Sequence, residues 1–340
     1  MDVGAVELLK KRTFFPLFLT QFFGAFNDNA FKFAMLTQIS YHLSSSQGQS
    51  ERYQAIASAL FVLPFLFFSA TAGQLADKFN KANLIRVIKL FEVLLVTIGG
   101  LAFYYGNTLL LMVTLTGMGV HSTFFGPIKY AILPDHLPRQ RLLGATALIE
   151  ASTFIAILLG TILGTLSIGG VKTASVYAIT LTGVVALAGL TASLFVPATR
   201  SEATNLHVDW HVWRATKQMI RDVVVSRRIV PVIFAISWFW LIGAVVLTKL
   251  PDYANYVLRA DAVVFAVFLA LFSIGIALGS VVINRLLAGK ITLRYVPHAM
   301  ILLSLFSMDL CWASPDKIDH LLPLQSVFQF FSHLAHWRIA

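Results

Sequence analysis

Residues 14–41 read FFPLFLTQFFGAFNDNAFKFAMLTQISY, an apolar run holding two charges, Asp28 and Lys32. It is long enough to cross a bilayer as a helix, which takes about 20 apolar residues. Lys10-Lys11-Arg12 precedes it, as in a secretory signal, but the run is too long for a signal core and carries an acid in its middle. A charge at bilayer depth costs about 2.5–3.5 kcal/mol even on the mild insertion scale, and persists where it faces a bundle interior or a water-filled path. The stretch therefore reads as the first helix of a polytopic membrane protein with a polar route through its centre.

The rest of the chain follows suit. Hydrophobic residues make up 57% of it, charged residues 12%, and mean hydropathy is +0.77. A soluble domain carries about 25% charged residues. Eight further apolar segments are expected at 53–74, 84–105, 109–133, 142–168, 174–196, 229–250, 262–287 and 295–314. The charges in them include Lys129, where the helix is expected to break at Gly126-Pro127, Glu150, and Lys249 at a span end. The net charge of +10 needs no nucleic acid. With the N-terminus inside, eighteen Lys and Arg lie on the inner side, and only Arg52, Lys172, Arg259 and Lys317 lie outside. That bias predicts a cytoplasmic N-terminus and fits alternation through nine spans. Cys311 is the single cysteine, so no intrachain disulfide is possible. There is no Walker loop and no Cys/His metal cluster. His136 is followed five residues later by Arg141, not by the acid of an H-x4-D acyltransferase. No enzyme, metal or cofactor is expected.

Six spans with short connections occupy 1–196. A polar stretch, 197–228, follows, with six basic residues, Trp210 and Trp213. Residues 229–340 hold about three more spans and a tail. This layout resembles the major facilitator superfamily, whose two six-helix halves flank a site near midplane. Gly73-Gln-Leu-Ala-Asp77-Lys78, after the second span, resembles that family's G-x-L-A-D-[RK] signature. A faint echo lies at the end of the eighth span and in the loop after it, at Gly279, Asn284, Arg285, Gly289 and Lys290. The resemblance implies a conformational latch: Gly73 for close helix packing, Asp77 for a helix N-terminus or a base across the cytoplasmic seam, with Lys78 beside it. An ordinary turn with positive-inside lysines is the plainer alternative. The fold expected is an all-α polytopic membrane bundle of this superfamily, truncated after about nine helices. A twelve-span bundle would need about three more, at ~20 residues each. Residues 321–340, interrupted by Pro323, Gln325, Gln329, His333, His336 and Arg338, read as an outer-face or interfacial segment.

Three stretches are more specific. They are Ala25-Phe26-Asn27-Asp28-Asn29, Phe125-Gly126-Pro127-Ile-Lys129-Tyr130 and Glu150-Ala-Ser152-Thr153-Phe154. Together they resemble the lysophospholipid transporter family, as found in the N-terminal part of transporter–acyltransferase fusions, over roughly 14–320. The resemblance implies a flippase. It would carry lysophospholipids such as lysophosphatidylethanolamine from the outer to the inner leaflet of the bacterial inner membrane by alternating access. An acyltransferase domain or partner on the cytoplasmic side would then restore the second chain. A proton-coupled facilitator for a small soluble solute fits the architecture equally well. A membrane anchor for an acyltransferase fits less well, because an anchor gains nothing from intramembrane charge.

Each candidate residue has two readings. Asp28 could take the ammonium of an ethanolamine headgroup, with Asn27 and Asn29 adding hydrogen bonds, or it could pair with Lys32 one turn on. Lys129 could hold the phosphodiester, or snorkel to the interface. Glu150 could serve substrate or gating, or bridge helices, and Gly160 and Gly164 after it form a small-xxx-small face. Lys249 could meet the headgroup at the outer side, where the family's more familiar residue is arginine. Lysine there would act as a point charge and not as a two-pronged clamp. Glu92 is expected in an ion pair with Lys89 near Arg86. His121 and Ser122 are expected to be a hydrogen-bonded packing pair or, less simply, a proton relay. Asp309 in the ninth span reads as a path-lining residue or as an unreliable one.

Overall fold

A computed structural model describes residues 7–168, 175–199, 208–224, 230–287, 294–314, 323–332 and 337. Ten principal helices run through them: α1 Phe15–Gln38, α2 Gln47–Lys78, α3 Lys81–Tyr105, α4 Thr108–Ala131, α5 Arg139–Leu166, α6 Ser175–Leu194, α7 Val212–Val224, α8 Val230–Asp252, α9 Ala262–Leu287 and α10 Val296–Ala313. Each of the nine expected apolar segments holds one of these helices. The tenth, α7, forms in the polar stretch between α6 and α8. Among the described residues, six helical stretches are long and apolar enough by composition to cross a membrane: α2, α4, α5, α6, Val230–Val257 and α10.

The chain divides by its internal contacts into Met1–Lys249 and Leu250–Ala340. In the first unit α1 packs against α5 and α6, α3 against α6 and α4, and α2 against α4. Local signals set the ends. Asn80 and Asn107 accept from the backbone N–H three residues on and start α3 and α4, and Gly106 closes α3 at φ 61°. That left-handed φ is costly for any residue with a Cβ. The α1–α5 contact is backbone-close because Gly160 and Gly164 supply it. A Cβ on either would lie 2.3 Å from the carbonyl oxygen of Phe26 or Ala30. The small-xxx-small face read from the sequence is thus the seam against α1.

Two larger apolar cores lie in this unit, with a small third one at Phe26, Ala30 and Ala156. One gathers Phe31, Met35, Leu95, Phe103, Leu115 and Met118. The other gathers Leu17, Ile85, Ile88, Phe125, Ile128 and Ile149. On α1, α3 and α4 alike, polar residues fall between the two sets: Asn27, Lys89, Glu92 and His121 buried, Asp28 and Ser122 partly so. At one end of the bundle the chain is tied by Lys81 to Asp135 at 3.0 Å and by an Arg86 guanidinium nitrogen to the Val196 carbonyl at 3.0 Å. There α7 lies along α2. Its Ala215 and Thr216 are buried, Thr216 Oγ1 donates to the Phe67 carbonyl at 3.3 Å, and Trp210 and Trp213 stay exposed.

In the second unit, Val264, Phe265 and Phe268 of α9 are buried, and Phe268 packs edge-on against Phe330 of the short helix Val327–Phe331. Gln325 exchanges backbone hydrogen bonds with Arg259 and Asp261. The described part of the 321–340 tail thus packs on this unit. None of the α10 residues is buried. Gly289 and Lys290 of the expected repeat lie outside the described residues.

Candidate functional site

Helix α4 organises the polar residues. Ser122 and Lys129 stand seven residues apart on it, close to two full turns. They share one face and are separated by about 10 Å along the axis.

Around Ser122 the residues are closed in. Lys89 Nζ meets Glu92 Oε2 at 2.5 Å, and both side chains are 0% exposed. Asn27 Nδ2 donates to Glu92 Oε1 at 2.9 Å. His121 Nε2 lies 3.2 Å from Glu92 Oε2, and its Nδ1 lies 3.8 Å from Asp28 Oδ1. The Ser122 hydroxyl donates to Asp28 Oδ2. Phe125 stacks parallel to the His121 ring and offers its own ring to Lys89 Nζ, 5.3 Å from its centroid. Room for that ammonium comes from Gly24, where a Cβ would stand 2.6 Å from Lys89 Nζ. Of the acids, Glu92 is sealed, whereas the Asp28 side chain keeps 12% of its surface.

Around Lys129 the residues are looser. Tyr130 donates its hydroxyl to Glu150 Oε1, and Lys129 Nζ sits 4.8 Å from the Tyr130 ring centroid. All three side chains are only half-buried. Between the two clusters, α1 and α5 are joined by Gln21. Its amide nitrogen donates to Ser152 Oγ and its oxygen accepts from Thr153 at 2.8 Å.

The expected site residues therefore separate. Asp28 faces Ser122 and His121, not Lys32, whose Nζ lies over the Phe61 ring at 5.3 Å. Asn27 is committed to Glu92, and Asn29 donates to the Ala25 carbonyl of its own helix at 2.8 Å. Lys249 Nζ pairs with Glu51 Oε2 at 3.3 Å, with the two side chains 46% and 40% exposed, and the neighbouring Thr248 hydroxyl meets that of Ser58 at 3.1 Å. Asp77 is exposed at the end of α2, Lys78 Nζ lies 5.8 Å from the Phe79 ring, and a Cβ on Gly73 would meet no described atom within 4 Å.

Glu92 does pair with Lys89 as expected, but Arg86 turns instead to Asn83 and the Val196 carbonyl. What the sequence did not disclose is that Lys89, Glu92 and His121 join Asp28 in one cluster. A Lys-x-x-Glu pair within an apolar run was the available signal. Its distance from Asp28 in the chain hid the connection.

Residues 17–320 match the profile of the Major Facilitator Superfamily. The chain is 28% identical over 298 residues to a protein named lysophospholipid transporter LplT from Serratia proteamaculans, covering 86% of this chain and 71% of that one. It is 34% identical over 161 residues to the LplT of Photorhabdus laumondii, which is 47% of this chain and 38% of that relative. With the LplT of Yersinia pestis strain Pestoides F it shares 32% identity over 163 residues, 48% of this chain and 37% of that one. In two of these three matches the chain thus spans well under half of the relative's length. The resemblance read from the three motifs is matched by these relatives, and family and relatives point to a transporter and not an enzyme. The chain is an integral membrane protein that belongs to the major facilitator superfamily.

Proposed function

We propose that this chain is a lysophospholipid flippase, moving lysophospholipids such as lysophosphatidylethanolamine from the outer to the inner leaflet of the bacterial inner membrane by alternating access. The observation that carries the reading is Asp28. It is a carboxylate within α1, left 12% exposed and held by Ser122, which shares a face of α4 with the half-buried Lys129. A carboxylate suits an ammonium, and a lysine suits a phosphodiester. The separation of about 10 Å along α4 favours two successive stations, with the lysine stem spanning part of the gap. Asn27 and Asn29 hold the Asp28 turn, and Glu150 with Tyr130 positions Lys129. Lys249, paired with Glu51, would meet the headgroup at the outer side once that pair opens.

In this reading 1–196 is the N-terminal half, 197–228 the cytoplasmic linker carrying α7, and 229–340 part of the second half. The N-terminus is cytoplasmic. Gly73, Asp77 and Lys78 act as a latch in another conformational state. An acyltransferase domain or partner on the cytoplasmic side would consume the product.

The test is transfer of lysophosphatidylethanolamine and of amine-free lysophosphatidylglycerol in proteoliposomes. Asp28→Asn is expected to cut transfer of the amine-bearing lipid at least tenfold and to affect the amine-free lipid much less. Equal loss for both would remove the amine-binding role. Uptake of a soluble compound with no lipid transfer would select the solute-facilitator reading instead.

A further inference from the structure

The buried cluster does not balance its own charge. From α1 it holds Asp28, from α3 Lys89 and Glu92, and from α4 His121. Lys32, one turn beyond Asp28, lies over Phe61. Helix α6 contains no charged residue, its one titratable group being Tyr177 in its first turn, and the charged residues of α2 lie near its two ends. Glu150 of α5 is engaged by Tyr130 in the second cluster. Two carboxylates thus face one ammonium and one imidazole.

A proton on the imidazole closes the gap. Its Nε2 is 3.2 Å from a Glu92 oxygen and its Nδ1 3.8 Å from an Asp28 oxygen. Neither ring nitrogen, nor Asp28 Oδ1, has a hydrogen-bond partner elsewhere. A neutral imidazole carries one N–H and one lone pair, so one nitrogen would point a lone pair at a carboxylate. The imidazolium carries two donors and suits both. It also brings the cluster to zero net charge, which matters at a site where an uncompensated charge is costly.

We infer that His121 holds an exchangeable proton, and that a cationic group docking at Asp28 displaces it, one proton leaving for each ammonium bound. The second cation beside Asp28 and Glu92 supplies the charge the proton supplied, so the two compete for one place in the cluster. Occupancy of the Asp28 station by an amine headgroup is then linked to proton release, and the sites are His121 for the proton and Asp28 for the amine. This rests on the reading that Asp28 meets an amine.

The experiment is calorimetric titration of the full chain in phosphatidylcholine nanodiscs with lysophosphatidylethanolamine. It is run in two buffers of different ionisation enthalpy and repeated with lysophosphatidylglycerol. About one proton is expected to leave per amine lipid bound, and none for the amine-free lipid. Apparent affinity for the amine lipid should fall up to tenfold per pH unit on the acid side of the transition. His121→Asn should bind without release and lose the pH dependence. Binding of the amine lipid by the wild type with no buffer-dependent heat would overturn the inference while leaving the flippase standing. Undiminished release in His121→Asn would overturn the assignment to His121. Failure of the folded wild type to bind either lipid would overturn the flippase reading itself, and this inference with it. The wild-type buffer comparison decides the matter even if the variant does not fold.

Discussion

The two polar clusters on α4 differ in what surrounds them. Around Ser122, three helices each contribute charged or amide groups, and the Lys89–Glu92 pair is sealed from any medium. Around Lys129 the polar groups found among the described residues come from α4 and α5 and remain half-buried. The first lies between two apolar cores. The second lies beyond Gly126 and Pro127, where the sequence suggested a break but the helix runs on unbroken to Ala131. A charge that is sealed and fully partnered holds helices in register. A charge that keeps some surface can exchange its partner for a ligand. Asp28 belongs to the first cluster by its contacts and to the second by its residual exposure. That dual position makes it the residue through which the closed cluster can sense a ligand.

The most damaging way to break the contrast is to unbalance the sealed pair. Lys89→Met should destabilise the folded protein by about 3–5 kcal/mol, because Glu92 is left buried against Asp28 with only His121 to answer both. Thermal unfolding in detergent measures it. Adding Glu92→Gln should recover much of the loss, since the uncompensated charge is then gone. Recovery of none would mean that Lys89 acts through packing at Gly24 and Phe125 instead.

Next is the seam that fixes α1 in register. Gly160→Val places a side chain where a Cβ already lies 2.3 Å from the Phe26 carbonyl, one residue before Asn27. Overpacking of this kind costs about 1–3 kcal/mol. It should also loosen the Asn27–Glu92 bond, read as a lowered unfolding temperature together with reduced lipid transfer. The equivalent change at Gly73, with open space around its Cβ, should leave the unfolding temperature nearly unchanged.

These two tests bear on how far the sequence could be read. Helix positions were legible because apolar length and loop charge are local properties, and every expected segment from 14–41 to 295–314 contains a helix. The Gly160/Gly164 seam was legible because small residues at i and i+4 signal close approach whatever the partner. The membership of the buried cluster was not legible. Asp28, Glu92 and His121 are brought together only by helix packing, and nothing local to Glu92 distinguishes a sealed ion pair from an interfacial one. The same gap explains Asn27. Its neighbour suggested a shared ligand, but one residue along a helix turns the side chain by about 100°, enough to send it to Glu92 while Asp28 faces Ser122. Helix α7 shows the reverse limit, since a polar, Trp-bearing stretch reads as a connection until α2 gives its Ala215 and Thr216 a place to be buried.

The looser cluster should respond more weakly in stability. Tyr130→Phe removes one hydrogen bond to Glu150, worth about 1 kcal/mol net. With the Glu150 carboxylate freed to approach Lys129, transfer of anionic lysophosphatidylglycerol should fall more than the unfolding temperature would suggest. A drop in stability as large as that of Lys89→Met would show that the two clusters are equally structural, and the contrast would be lost.

The smallest expected effect concerns Lys249 and Glu51. Their 3.3 Å pair leaves both side chains nearly half exposed. Exposed pairs contribute about 0–1 kcal/mol, because solvent screens them and two long side chains must be held still. Lys249→Ala should therefore shift the unfolding temperature by little, and less still at high salt. If Lys249 meets the lipid phosphate, the same variant should slow transfer, and Lys249→Arg should restore or raise it, because a guanidinium grips a phosphate through two hydrogen bonds where an ammonium acts as a point charge. Loss of transfer in Lys249→Ala without rescue by arginine would reduce the residue to a partner of Glu51. Full activity in Lys249→Ala would confine headgroup reading to the α4 face, leaving Asp28 and Lys129 as its two ends.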